Sequence, residues 1–161
     1  MANKRIETYL NDHLAGAVAA IELLEHLESA HKGTSLQIRF AELRRDISAD
    51  RHELESLMVA LNVDQSSLRK ASAWLTEKFT QLKLRLDDPS GGPLLLLESI
   101  EVISLGIEGK RLLWRALRAT SEKSYALKAL DYERLIKRAE EQRDRVETIR
   151  LEAARQALAF W

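Results

Sequence analysis

The sequence predicts an all-α protein: a four-helix bundle in the up-down-down-up sense, with an extra helix in the crossover between the second and third bundle helices. Three observations carry that prediction. Good helix formers (Leu, Ala, Glu, Arg and Lys) dominate the 161 residues, against only two prolines and six glycines. Apolar residues recur at helical spacing through four long segments. The joins between segments are short or helical except DDPSGGP, residues 87–93, the one strong loop signal. A chain of this length forms one domain, residues 1–161, with room for a sizeable core.

The first helix spans about 3–31 and ends at Lys32-Gly33, where Gly33 can take the left-handed position after a helix C-terminus. Thr34-Ser-Leu-Gln37 then fits a capping box, so the second helix starts at once and covers about 35–61. Asn62 breaks it. Asp64 can cap a shorter connecting helix over about 65–86, amphipathic through Trp74, Phe79, Leu82 and Leu86. After the 87–93 loop the third bundle helix covers about 94–119. Residues 120–130 read as loop or a helical turn, and Asp131 caps a last helix over about 131–160.

At 1.5 Å per residue the four long helices are each roughly 40–45 Å long, and matched lengths suit a bundle. The two-residue first join forces an antiparallel pair. The connector, roughly 30 Å of helix, is long enough to return along the bundle and give a single long crossover. The alternative is a five-helix up-down bundle in which the connector is a full member.

Composition excludes several functions. Lys plus Arg and Asp plus Glu each total 25, and this zero net charge argues against nucleic-acid binding. The absence of cysteine removes disulfides, thiolate metal sites and Cys nucleophiles. MANKRIETYL has no signal-peptide run, and the most apolar stretch, 93–107, carries Glu98 and Glu101 and is too short to be a transmembrane segment. A cytoplasmic location follows as the expectation. No Gly-rich phosphate loop or nucleophile elbow is present. Gly106-x-x-Gly109 is mid-helical, and with Gly16 it is expected to permit close helix approach.

The segments YLNDHLAGAVAAIELLEHL, GIEGKRLLWRALRAT and LDYERLIKRAEEQ resemble small uncharacterised bacterial members of the ferritin-like superfamily. The resemblance covers nearly the whole chain and implies the bundle fold. Active members hold two iron or manganese ions, which makes a metal centre the first function to test.

A dimetal site of that kind needs a Glu from each of two helices and Glu-x-x-His from each of the other two, all pointing inward at one level. Hard carboxylate oxygens hold the ions, and the i, i+3 spacing puts Glu and His on one face. The only exact match is Glu28-Ser-Ala-His31, on the first helix and near its end. Position 49, three before His52, is Ala, and the last helix has no histidine. The ligand pattern is therefore missing. Asp46, Asp50, Glu101 and Glu108 are the carboxylates left for an atypical iron or manganese site. Glu22, Glu25 and Glu98 read as solvated flanks.

The inward faces suggest something else. The second helix presents Phe40, Leu43, Ile47, Asp50, Leu54, Leu57 and Leu61; the third presents Leu96, Ile100, Ile103, Ile107, Lys110, Trp114 and Leu117. The last presents Leu135, Ala139, Gln142, Val146, Ile149, Ala153, Gln156 and Phe160, and the first Leu10, Leu14, Ala17, Ile21, Leu24, Glu28 and His31. Asp50 and Lys110 each lie about 16 residues into their helices, and Gln142 lies 18 from the end of its own. These heights match, beside small Gly16 and Ala17. The expectation is a mid-bundle polar cluster of Asp50, Lys110 and Gln142 in which an ammonium stands in for metal charge. The competing expectation is that Lys110 and Gln142 reach the interface edge and snorkel to water.

The function read from these residues is a non-enzymatic bundle with a degenerate metal centre and no cofactor, in a structural or interaction role as a homodimer or with a protein partner. The terminal ALAFW covers the bundle end or forms a dimer contact. An atypical iron or manganese redox protein is the second reading, and a membrane-surface or partner-binding module acting through the connector is the third.

Overall fold

The computed structural model describes residues 4–65, 77, 80–82, 85 and 92–159. Among them are four long helices and no strand: α1 (Lys4–Ala30), α2 (Ser35–Ala60), α3 (Gly92–Ala119) and, after the short α4 (Tyr125–Lys128), α5 (Tyr132–Ala157). A 3-10 turn, Ser121–Lys123, precedes α4. Most of the predicted connector lies outside the described residues, including Trp74, Phe79 and Leu86, as do residues 87–91, Phe160 and Trp161. Of the connector, Glu77, Thr80, Gln81, Leu82 and Arg85 are helical.

Helix ends follow local chemistry. Gly33 sits at φ +82° in the turn after α1, a conformation a side chain would strain. Thr34 does stand at the N-cap of α2, but the capping box does not form: its hydroxyl donates to His31 O, and Gln37 Oε1 accepts from Gly33 N at 2.8 Å. The tight turn offers those groups nearer partners. Asn62, at φ +53°, ends α2 in a Schellman arrangement: its N–H reaches Val59 O and that of Val63 reaches Met58 O. Val63 and Met58 are both buried in one apolar cluster, the contact that usually accompanies this motif. Asp131 caps α5, accepting from Arg134 N at 3.0 Å.

Interhelix ion pairs give the directions. Arg44–Glu28 joins the end of α1 to α2, while Asn11 near the start of α1 donates to Asp64 O beyond the far end of α2. Arg39–Glu152 and Arg134–Glu53 set α2 against α5; Glu101–Arg150, Glu108–Arg143 and Arg111–Glu140 set α3 against α5. Each pair is antiparallel, so α2 and α3 run together and α1 and α5 run together. α1 also packs on α3. Both bundles expected from the sequence share these directions and differ at the connector.

The core has two apolar clusters. One centres on Leu24, Leu27, Phe40, Ile47, Ile100, Ile103, Val146 and Ile149; the other on Leu10, Leu14, Leu54, Leu57, Leu113, Trp114, Leu127 and Leu135. The gap falls between Ile47 and Leu54 on α2 and between Ile107 and Leu113 on α3, so the apolar core is interrupted at mid-bundle. α1 is rotated from the expected face. Leu10, Leu14 and Leu24 are buried, but Ala20, Leu23 and Leu27 complete the stripe, and Ile21, Glu28 and His31 flank it. The wider burial arc of a bundle helix explains the shift. Gln156, expected inside, is exposed near the end of α5.

Candidate functional site: a buried ammonium–carboxylate cluster

The interruption is polar. Asp50 on α2 has a side chain only 1% exposed, in the middle of an otherwise apolar face. Such a carboxylate must be compensated. Lys110 of α3 donates to Asp50 Oδ2 and to Gln142 Oε1. Gln142 of α5 is fully buried and turns its Nε2 onto Asp50 Oδ2 at 2.8 Å, closing a triangle. Gln142 fits because its amide gives a donor to the carboxylate and an acceptor to the ammonium at once. Arg138, one turn before Gln142, donates through Nε to Asp50 Oδ1 at 2.6 Å.

Burial pushes the Lys110 ammonium below the ordinary lysine range, and the Asp50 charge and hydrogen bond oppose that shift. Asp50 is the group that most opposes loss of this charge, and two basic side chains, Lys110 and Arg138, face its one carboxylate. The structure therefore brings Asp50, Lys110 and Gln142 together. Lys110 still has 12% of its side chain exposed, on the side of α1 where Gly16 and Ala17 leave room.

Arg138 was missed in the sequence, although it shares a face with Gln142 at i, i+4 spacing. Two further buried polar residues, Asn11 and Ser99, also lie on apolar faces. Asn11 ties α1 to the segment after α2 by donating to Asp64 O, and Ser99 bonds back to Leu95 O within its own helix.

The other candidate carboxylates do not join the cluster. Asp46 is paired with Arg145 and Arg45; burial pushes its carboxyl up, but these arginines outweigh it and hold it below its ordinary value. Glu108 is held low mainly by its hydrogen bond from Arg111, against burial, with Arg143 at 3.0 Å assisting. Glu101 faces Arg150 at 3.5 Å. Each of the three is engaged by guanidinium groups.

Glu28 and His31 also point to different partners. Glu28 accepts from Arg44 at 2.9 Å. His31 Nδ1 lies 2.9 Å from Leu27 O, so it carries the proton and donates, and its ring edge rests on Phe40. Among the described residues no three His, Asp or Glu side chains are grouped to hold an ion. A dimetal centre does not fit the mid-bundle residues, because an ammonium stands where a cation-binding site would need another anionic or neutral donor.

The glycines serve differently from the expectation. Among the described residues, a Cβ added at Gly16, Gly106 or Gly109 would meet nothing within 4 Å, so no described element approaches them closely. Gly16, Gly106 and Gly109 line a cavity of about 910 Å³, bounded by α1, α3, part of α2 and the connector residues Gln81, Leu82 and Arg85. Asp50 and Lys110 are part of its wall. Among the described residues no helix is long and apolar enough to cross a membrane. No protein-family model, curated protein or solved structure matches the chain.

Proposed function

We propose that this chain is a non-enzymatic, ferritin-like helical bundle whose metal centre has been replaced by an ion-pair cluster, and that it acts in the cytoplasm through structure and interaction. One observation carries this reading: the Lys110 ammonium, tied to Asp50 and Gln142, lies in the mid-bundle gap of the core. An ammonium there supplies fixed positive charge without an exchangeable ion. Supporting the fold half of the reading, the α1–α2, α2–α5, α5–α3 and α3–α1 contacts close a ring of four helices. A homodimer or a protein partner is the expected assembly, with exposed apolar residues such as Val59 and Leu105 available on its surface.

The test is elemental analysis of purified protein combined with anaerobic Fe(II) and Mn(II) titration. The reading expects no stoichiometric metal. Stoichiometric uptake that disappears in Asp50→Ala would establish the alternative of an atypical iron or manganese protein instead. Light scattering addresses the assembly: a stable dimer supports the interaction role.

A further inference from the structure

The cavity beside the cluster has the features of a ligand site. Its volume of about 910 Å³ falls within the range of small-molecule pockets, roughly 300–1,000 Å³. Ala17, Ala20, Val102 and Leu105 give it apolar walls, and the three glycines keep it open where any larger residue would fill it. This arrangement is costly as structure alone. Glycine is a poor residue in mid-helix, and here no described residue packs close enough to require it.

The floor of the cavity is charged. Asp50 carries one negative charge and faces two positive ones, Lys110 on the cavity wall and Arg138 behind it, which is 26% exposed and does not line the cavity, so the cluster as a whole has one cation in excess. Lys110 has three N–H donors and gives two of them, to Asp50 and Gln142. On the same wall, Trp114 is fully buried and, among the described residues, its Nε1 has no acceptor. Most lining charges nearer the rim are already paired: Arg51 with Glu55, Arg85 with Glu98, and Glu101 with Arg150. Asp12, beside His13 on α1, also lines the cavity and would repel an anion placed near it. The anion-accepting end is therefore the floor.

We propose that the cavity binds an amphiphile bearing a single carboxylate. Its head would take the third Lys110 N–H and neutralise the excess charge, and its apolar body would lie along the wall at Gly16, Gly106 and Gly109. The charge count and the apolar wall together select this class. An alcohol of the same length leaves the excess cation unmatched, and a quaternary ammonium places like charge against it. The site is independent of the metal question. Metal uptake by the wild type alongside carboxylate binding would contradict the proposed bundle function alone.

Isothermal titration of the full chain with decanoate, below its micellar range, tests the proposal. Decanoate is expected to bind at one molecule per chain, with decanol and decyltrimethylammonium weaker by about tenfold or more. Gly109→Leu and Gly16→Leu place a side chain in the open space; they are expected to abolish binding with the thermal midpoint unchanged or raised. Lys110→Met is expected to bring decanoate down to the affinity of decanol. Equal affinity for decanoate and decanol in the wild type, preference for the quaternary ammonium, undiminished binding to folded Gly109→Leu and Gly16→Leu, or no binding of decanoate would each overturn it.

Discussion

Asp50 decides the energetics of the cluster, because it is the single anion that two cations share. Removing it leaves Lys110 and Arg138 close together with like charge in a largely buried place. Asp50→Ala is expected to destabilise the fold by about 3–5 kcal/mol, the usual cost of stranding a buried charge. Lys110→Met is expected to cost less, since Asp50 keeps Arg138 and the Gln142 amide. Urea denaturation of the two variants checks the order. A larger loss in Lys110→Met would mean that Arg138 does not hold Asp50. His13, on the cavity wall, gives a pH prediction. Burial lowers its pKa from the ordinary 6.5, with Asp12 opposing. The unfolded chain therefore takes up this proton first as pH falls below 6.5. Stability from the neutral ring is complete above 6.5 and declines below it, down to the lowered folded value. His13→Gln should show a smaller loss of urea midpoint than wild type between neutral pH and pH about 5. An identical loss would remove His13 from the account.

At the scale of the helix, two backbone features carry separate expectations. Asn62 occupies the left-handed position of a Schellman motif, where residues other than Gly and Asn are disfavoured. Asn62→Ala is expected to cost about 1 kcal/mol and Asn62→Gly to be neutral or slightly stabilising. Thermal unfolding distinguishes them, and equal midpoints would show that the motif adds nothing. The mid-helix glycines predict the opposite sign. With no described atom within 4 Å of an added Cβ, Gly16→Ala and Gly109→Ala should each stabilise by about 0.5–1 kcal/mol through helix propensity alone. A loss of stability in either would mean that the helix needs glycine there for packing.

Across the whole molecule, the sequence made some features legible and hid others for physical reasons. Helix positions came from periodicity and caps: α2 starts beside Thr34 and α5 beside Asp131. Asp50, Lys110 and Gln142 stood out because each breaks an apolar heptad, and counting along matched helices put them at one height. Arg138 did not stand out, since an arginine on a flank of the stripe looks the same whether it turns inward or to water. The face of α1 was misjudged for a related reason. A run as apolar as LAGAVAAIELLEHL supports more than one stripe, and only the neighbours select Leu23 and Leu27 over Ile21. The cavity was the least legible feature. Glycine in a helix can mean contact or space, and the sequence does not tell the two apart. At this scale the cluster is the seam that joins two apolar halves of the bundle, and Lys110 is expected to be charged within it.

The most direct test of that claim is a nitrogen-15 lysine side-chain NMR measurement at neutral pH, with Lys110 assigned by substitution. The expected result is a protonated Lys110 Nζ whose hydrogens exchange slowly because Asp50 and Gln142 hold them, and whose exchange quickens in Asp50→Asn. A neutral amine, or an ammonium exchanging as fast as surface lysines and indifferent to Asp50→Asn, would contradict it.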